Sequence, residues 1–176
     1  MSVTDQSFSR REKAVIFTSM KPTVYIETTV VSYLTARPSR DLIIAAHQQI
    51  TVEWWDQVLP RVDPFVSELV LAEIGKGDPQ AASRRMERTK GIPLLEFFSE
   101  IYELGRQYFD VLGLPDKALA DAYHVAVATW HGVDYVVTWN CAHIAGGRVE
   151  RIIGELNADL GLRTPILCTP EELMEV

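Results

Sequence analysis

The chain is 176 residues long and carries 17 basic against 24 acidic side chains, a net charge of −7 at neutral pH. That length suits one domain with a core large enough to fold without a disulfide or metal staple. The acidic balance excludes a generally basic nucleic-acid coat, although not a local basic patch. Cys141 and Cys168 are too few for a disulfide scaffold. No apolar run approaches the roughly 18 residues of a membrane span, and Ala14 to Phe17 is too short for a secretory h-region. A soluble, cytoplasmic protein with no membrane partner is expected.

Residues 1–20 are polar and without period, and read as a flexible tail ahead of one domain over 21–176. Met20-Lys21-Pro22 resembles an internal start. Thr23 to Ile26, β-branched and aromatic, predicts a buried strand. Glu27 follows it directly, and Thr28 or Thr29 can cap a short helix through Leu34. Pro38-Ser39 opens a predicted helix over about 39–58, with Ile43, Ala46, Ile50, Trp54 and Val58 on one face. Pro64 to Val66 is a short strand, and Ser67 caps a helix from Glu68 to Gly75. Asp78-Pro79 starts the next helix, stopped by Gly91. A strand over 92–95 and a helix over 96–111 follow, with Gly105 a weak point inside that helix. Pro115-Asp116 opens the best helix in the chain, ending at Gly132. Asp134 to Trp139 is a second buried strand, Gly147 to Leu160 a helix, Ile166 to Cys168 a last strand, and Thr169 caps a terminal turn.

Strands alternating with helices predict an α/β chain with a parallel sheet of four to five strands covered on both faces. Ligands of such sheets bind outside the carboxyl ends of the strands. Three acids stand out there or on apolar helices. Glu27 ends the first strand, Glu73 sits in the nearly apolar run Glu68 to Ile74, and Asp121 lies on a helix face shared with Ala118, Val125 and Ala128. Asn140 follows a strand at the same edge as Glu27. A carboxylate on such a face is costly unless paired, neutralised or bound to a cation. Each also has a plain structural reading. Glu27 and Glu73 can face solvent, Asp121 can be a hydrogen-bonded carboxylate with Thr28 or Thr138, and Asn140 can cap the next turn. Taken together, polar groups gathered at one edge without a partner lysine or arginine favour a divalent-cation site.

These segments resemble the PIN-domain family of metal-dependent ribonucleases, and most of all the VapC-type toxins of type II toxin–antitoxin systems. They are Val24 to Thr29, Val66 to Ile74, Asp121 to Ala128 and Val136 to Asn140, and the likeness runs over about residues 22–170. The resemblance implies a Rossmann-like α/β/α sandwich that hydrolyses RNA with Mg²⁺ or Mn²⁺, an antitoxin partner and a homodimer. It also implies four site positions. Glu27 stands where the family has its first aspartate, Glu73 and Asp121 match, and Asn140 stands where a fourth acid is common. By this likeness Glu27, Glu73 and Asp121 hold the cation, and Asn140 orients water or a phosphate oxygen.

The remaining polar residues carry weaker signals. His124 lies three residues after Asp121, and Cys141-Ala142-His143 follows Asn140, but finger-type zinc spacing is not met. His143 can touch substrate, cap a helix or join the core. Arg37 and Arg40 can meet RNA phosphates, whereas Arg84, Arg85, Arg88 and Lys90 read as a solvated helix face. Trp54 and Trp55 are adjacent, so one of them is expected at a partner surface. A non-catalytic PIN-like module binding RNA or protein is the competing reading. No Gly-rich phosphate loop supports nucleotide binding.

Overall fold

The computed structural model describes residues 21–175; the expectations for residues 1–20 lie outside them. Five strands form one parallel sheet: β1 (Thr23–Ile26), β2 (Asp63–Ser67), β3 (Leu94–Leu95), β4 (Tyr135–Val137) and β5 (Ile166–Cys168). Their order is β3-β2-β1-β4-β5. β1 is therefore central, fully buried from Thr23 to Ile26, as a strand covered on both faces must be. Tyr25 pairs with Phe65 on one side and with Val136 on the other. The chain leaves β1 toward β2 and later returns to its other flank at β4. The crevice between the carboxyl ends of β1 and β4 is thus the topological switch point, where a parallel sheet leaves room for a ligand.

Among the described residues seven α-helices connect these strands: α1 (Thr28–Thr35), α2 (Leu42–Gln57), α3 (Glu68–Ile74), α4 (Pro79–Thr89), α5 (Ser99–Leu112), α6 (Leu119–His131) and α7 (Gly147–Leu160). α1 packs on α2, α3 and α4, whereas α5 packs on α6 and α7. Local chemistry sets most of their ends. Ser67 caps α3 and Asp78 caps α4, the latter with Pro79 in the first turn. Gly132 ends α6 at φ 69°, a left-handed conformation that favours glycine. A 3₁₀ turn over Asp116–Ala118 precedes α6, so that helix begins later than Pro115-Asp116 suggests.

Four further sequence expectations need correction. The cap of α1 is Glu27 rather than a threonine, because its longer side chain reaches back to the Thr29 amide. α2 begins after Asp41, whose carboxylate accepts from the amides of Ile43 and Ile44. Its expected apolar stripe is buried only in the second half, with Trp54 and Val58 at 0% exposure but Ile43 at 69%. Finally, Trp54 and Trp55 are both buried, their rings meeting edge to face at 6.2 Å. Two consecutive helical residues lie only about 100° apart, so a helix sunk deeply enough covers both. The exposed apolar side chains of α2 are instead Leu42, Ile43, Ile44 and Val52.

Candidate metal centre

β1 delivers Glu27 to the switch point and α1 starts immediately after it. Glu27 is 3% exposed, and its Oε2 accepts three hydrogen bonds. They come from the Thr29 amide at 3.0 Å, the Thr29 hydroxyl, and the Thr138 hydroxyl at 2.7 Å. Thr138 follows β4, so this carboxylate ties the two sides of the crevice together. All three donors use one oxygen; Oε1 has no hydrogen-bond partner among the described residues.

Glu73 comes from the last turn of α3. Its Oε2 accepts from the Thr28 hydroxyl and from His124 Nε2 at 3.0 Å, and again Oε1 has no such partner. Burial raises the pKa of this carboxyl, but hydrogen bonding and charge from His124, the Thr28 hydroxyl and the charge of Lys76 outweigh it. The net result lies below the ordinary glutamate value. Glu73 is therefore ionised at neutral pH and can only accept hydrogen bonds.

His124, on α6, is 1% exposed. Because Glu73 is an acceptor, Nε2 carries the proton in that contact. The other ring nitrogen, Nδ1, lies 2.7 Å from the Tyr25 hydroxyl, which in turn lies 2.7 Å from Ser67 Oγ. A buried polar chain thus runs Glu73–His124–Tyr25–Ser67 from the site into the sheet. Burial, aided by repulsion from Glu27 and Glu73 and opposed by the Ser67 hydrogen bond, holds the Tyr25 hydroxyl well above its ordinary pKa, so it stays protonated.

One ligating atom each from Glu27, Glu73 and His124 lie within 4.8 Å of one another. Two carboxylates, each with one oxygen that has no hydrogen-bond partner among the described residues, and one imidazole form a donor set that fits a divalent cation. Asp121, the expected third carboxylate, is not in this group. It lies one turn before His124 on α6, and its Oδ2 is 2.9 Å from His143 Nδ1. Asn140 Oδ1 accepts from the His143 amide at 3.1 Å, so this side chain closes the turn after β4. Thr28 and Thr138 bond to Glu73 and Glu27, not to Asp121.

Sequence reasoning passed over His124 as a site residue. Its signal was present as the three-residue spacing from Asp121, which puts both on one helix face. It was judged against zinc-finger spacing alone, and mixed carboxylate–imidazole sites have no such fixed spacing. Of the basic residues, Arg85 is not simply solvated. Its guanidinium donates to the carbonyls of Ile74 and Lys76 and ties α4 to the end of α3. Arg84 and Arg88 line a cleft of about 350 Å³ with Leu34, Thr35 and Glu87.

No family model and no curated protein matches the chain. Solved structures do. VapBC2 from Rickettsia felis, a complex bound to a DNA fragment from its promoter, superposes with TM-score 0.54 at 13% identity, over 84% of this chain and 98% of the matched one. FitAcB from Neisseria gonorrhoeae superposes with TM-score 0.50 at 19% identity, over 84% and 97%. The fold is PIN-like. The PIN-like α/β architecture expected from the four motifs is thereby established, with its five-stranded parallel sheet. Among the described residues, no helix is long and apolar enough to cross a membrane.

Proposed function

We propose that this chain is a metal-dependent endoribonuclease that hydrolyses RNA phosphodiester bonds, and that it is the toxin partner of an antitoxin protein in the cytoplasm. The observation that carries the nuclease reading is the pair Glu27 and Glu73 at the switch point, each held through Oε2 and each with an Oε1 that has no hydrogen-bond partner among the described residues. Mutually repelling carboxylates at the mouth of a parallel sheet are stabilised by a dication. The fold shared with VapBC2 and FitAcB supports the toxin role.

Mg²⁺ or Mn²⁺ held here would lower the pKa of water and offset charge developing on the phosphate. The protein's part is positional. Thr29 and Thr138 fix the Glu27 carboxylate, while Thr28 and His124 fix Glu73. Asp121 adds a third acidic group on the same face of α6 as His124 and holds the His143 ring by Nδ1, leaving Nε2, which has no hydrogen-bond partner among the described residues, to meet RNA. Asn140 places His143 through its backbone amide. Arg37 and Arg40, exposed beyond α1, and the Arg84–Arg88 cleft supply positive charge for the RNA backbone. The homodimer and the antitoxin contact follow from the family likeness, and the exposed Leu42, Ile43 and Ile44 form the surface at which to test them.

The test is cleavage of a mixed RNA pool with and without Mn²⁺, wild type against Asp121→Ala and Glu73→Gln. Metal-dependent cleavage lost in both variants is expected. RNA binding without cleavage at any metal concentration would replace this reading with that of a non-catalytic PIN-like module.

A further inference from the structure

The Glu73–His124–Tyr25–Ser67 chain goes beyond a set of carboxylates. We propose that His124 binds the cation directly through Nε2, that this nitrogen makes the site prefer a transition-metal dication such as Mn²⁺ over Mg²⁺, and that Tyr25 and Ser67 are positioning residues for the imidazole. The inference rests on the cation reading above and specifies its chemistry.

Three observations lead here. First, His124 is 1% exposed, so its ring cannot turn away to solvent; a ring nitrogen lies within 4.8 Å of a carboxylate oxygen of Glu27 and of Glu73, and Nε2 is the one that faces Glu73, at 3.0 Å. Second, the ring is supported from behind. Nδ1 meets the Tyr25 hydroxyl at 2.7 Å, and that hydroxyl meets Ser67 Oγ at 2.7 Å. A hydrogen-bond partner on the far nitrogen is what orients a ligating imidazole and fixes its tautomer. Third, both partners are hydroxyls, which donate or accept by rotating. Without a cation, Nε2–H donates to Glu73, and Nδ1 accepts from Tyr25. With a cation, Nε2 must offer its lone pair, so the ring proton moves to Nδ1. Tyr25 then accepts it and turns its own hydrogen toward Ser67. A carboxylate or lysine behind the ring would favour one state; Tyr25 and Ser67 accommodate both.

The selectivity follows from donor type. Mg²⁺ prefers oxygen ligands and gives up water reluctantly. First-row transition ions accept imidazole readily, with affinity rising from Mn²⁺ toward Cu²⁺. One nitrogen among three protein ligands therefore shifts the preference away from Mg²⁺.

The experiment uses the full chain, labelled with ¹⁵N-histidine and loaded with Mn²⁺. Pulsed electron paramagnetic resonance reads nitrogen bound directly to the ion, and calorimetric titration with Mn²⁺ and Mg²⁺ reads the preference. Wild type should show a ¹⁵N coupling and bind Mn²⁺ more tightly than Mg²⁺. His143→Gln should keep the coupling and His124→Gln should lose it. Tyr25→Phe should weaken Mn²⁺ binding about 10–100-fold, the usual effect of removing an outer partner, and Ser67→Ala should weaken it less; Mg²⁺ binding should change little in either. Absence of coupling in wild type decides against the inference even if a variant fails to fold, and His143→Gln alone assigns a coupling that is present to a histidine other than His143. Mn²⁺ bound at the site without nitrogen coupling would overturn this inference and leave the cation reading intact. No dication bound at all would overturn both.

Discussion

His143 Nδ1 and Asp121 Oδ2 lie 2.9 Å apart, bridging the start of α6 and the turn after β4. The pair is partly open to solvent, with side chains 29% and 19% exposed, so its contribution to stability is small, about 0.5–1 kcal/mol. Its charge is another matter. Asp121→Asn keeps the shape and one oxygen acceptor but removes a carboxylate charge one helical turn from His124 on α6. RNA cleavage at saturating Mn²⁺ should fall about 100-fold or more while the melting temperature drops by no more than about 4 °C. Cleavage at the wild-type rate would place Asp121 outside the machinery.

Asn140→Asp tests the opposite change. Either side chain can accept from the His143 amide, the contact that Asn140 makes at 3.1 Å, so the turn should survive. The added charge should strengthen cation binding by about 1 kcal/mol, or roughly fivefold in the Mn²⁺ concentration giving half-maximal cleavage. Without metal, the extra repulsion should lower the melting temperature. Loss of cleavage at every Mn²⁺ concentration would show that the amide itself is required.

Much of this was legible before the coordinates. β1, α3, α4, α7 and β5 follow from β-branched runs, caps and glycine stops, which act within a few residues of themselves. Glu27 and Glu73 were visible as charges in apolar surroundings. What the sequence could not show is which partner each polar group takes across space. Thr138 is 111 residues from Glu27, and no local pattern links them. His124 was hidden because a histidine on an apolar helix face looks the same whether it meets a carboxylate or an aliphatic core. The exposed start of α2 escaped because helical periodicity marks a stripe, not how far along the helix the core extends.

A titration away from the site follows from Asp134. Partial burial raises its pKa, but the Thr23 amide at 2.8 Å, the Thr23 hydroxyl at 2.7 Å and Arg163 at 2.7 Å outweigh this and set it below the ordinary value. A carboxyl lowered in the folded state stabilises the fold above its unfolded pKa of about 3.9, and that contribution disappears as pH falls through the folded value. Asp134→Asn should therefore cost about 1 kcal/mol at pH 7, a modest figure because the side chain is 35% exposed. Urea denaturation of both proteins should show this gap unchanged down to about pH 5 and closing below about pH 4. A gap that widens on acidification would contradict the assignment.

The two helical glycines at 105 and 154 should respond oppositely to the same substitution. By intrinsic propensity, glycine to alanine inside a helix stabilises by up to about 1 kcal/mol. At Gly154 in α7 a Cβ would meet nothing within 4 Å, so the propensity gain should appear undiminished, at about 0.5–1 kcal/mol. At Gly105 in α5 a Cβ would sit 2.2 Å from Tyr123 Cδ1 and 3.4 Å from Cγ. Those atoms belong to the root of the ring, not to a mobile tip, and Tyr123 is held on α6 with its ring edge-on to Tyr102 at 5.5 Å. The bare backbone of Gly105 is what lets α5 and α6 approach so closely. Gly105→Ala must push the helices apart or turn the ring, and overpacking of this kind costs about 1–3 kcal/mol, more than the propensity gain. Chemical denaturation should show Gly154→Ala above wild type and Gly105→Ala below it, with Tyr123→Ala restoring part of the loss when combined with Gly105→Ala. Equal stabilisation by both alanines would mean that α5 and α6 are not packed as closely as this.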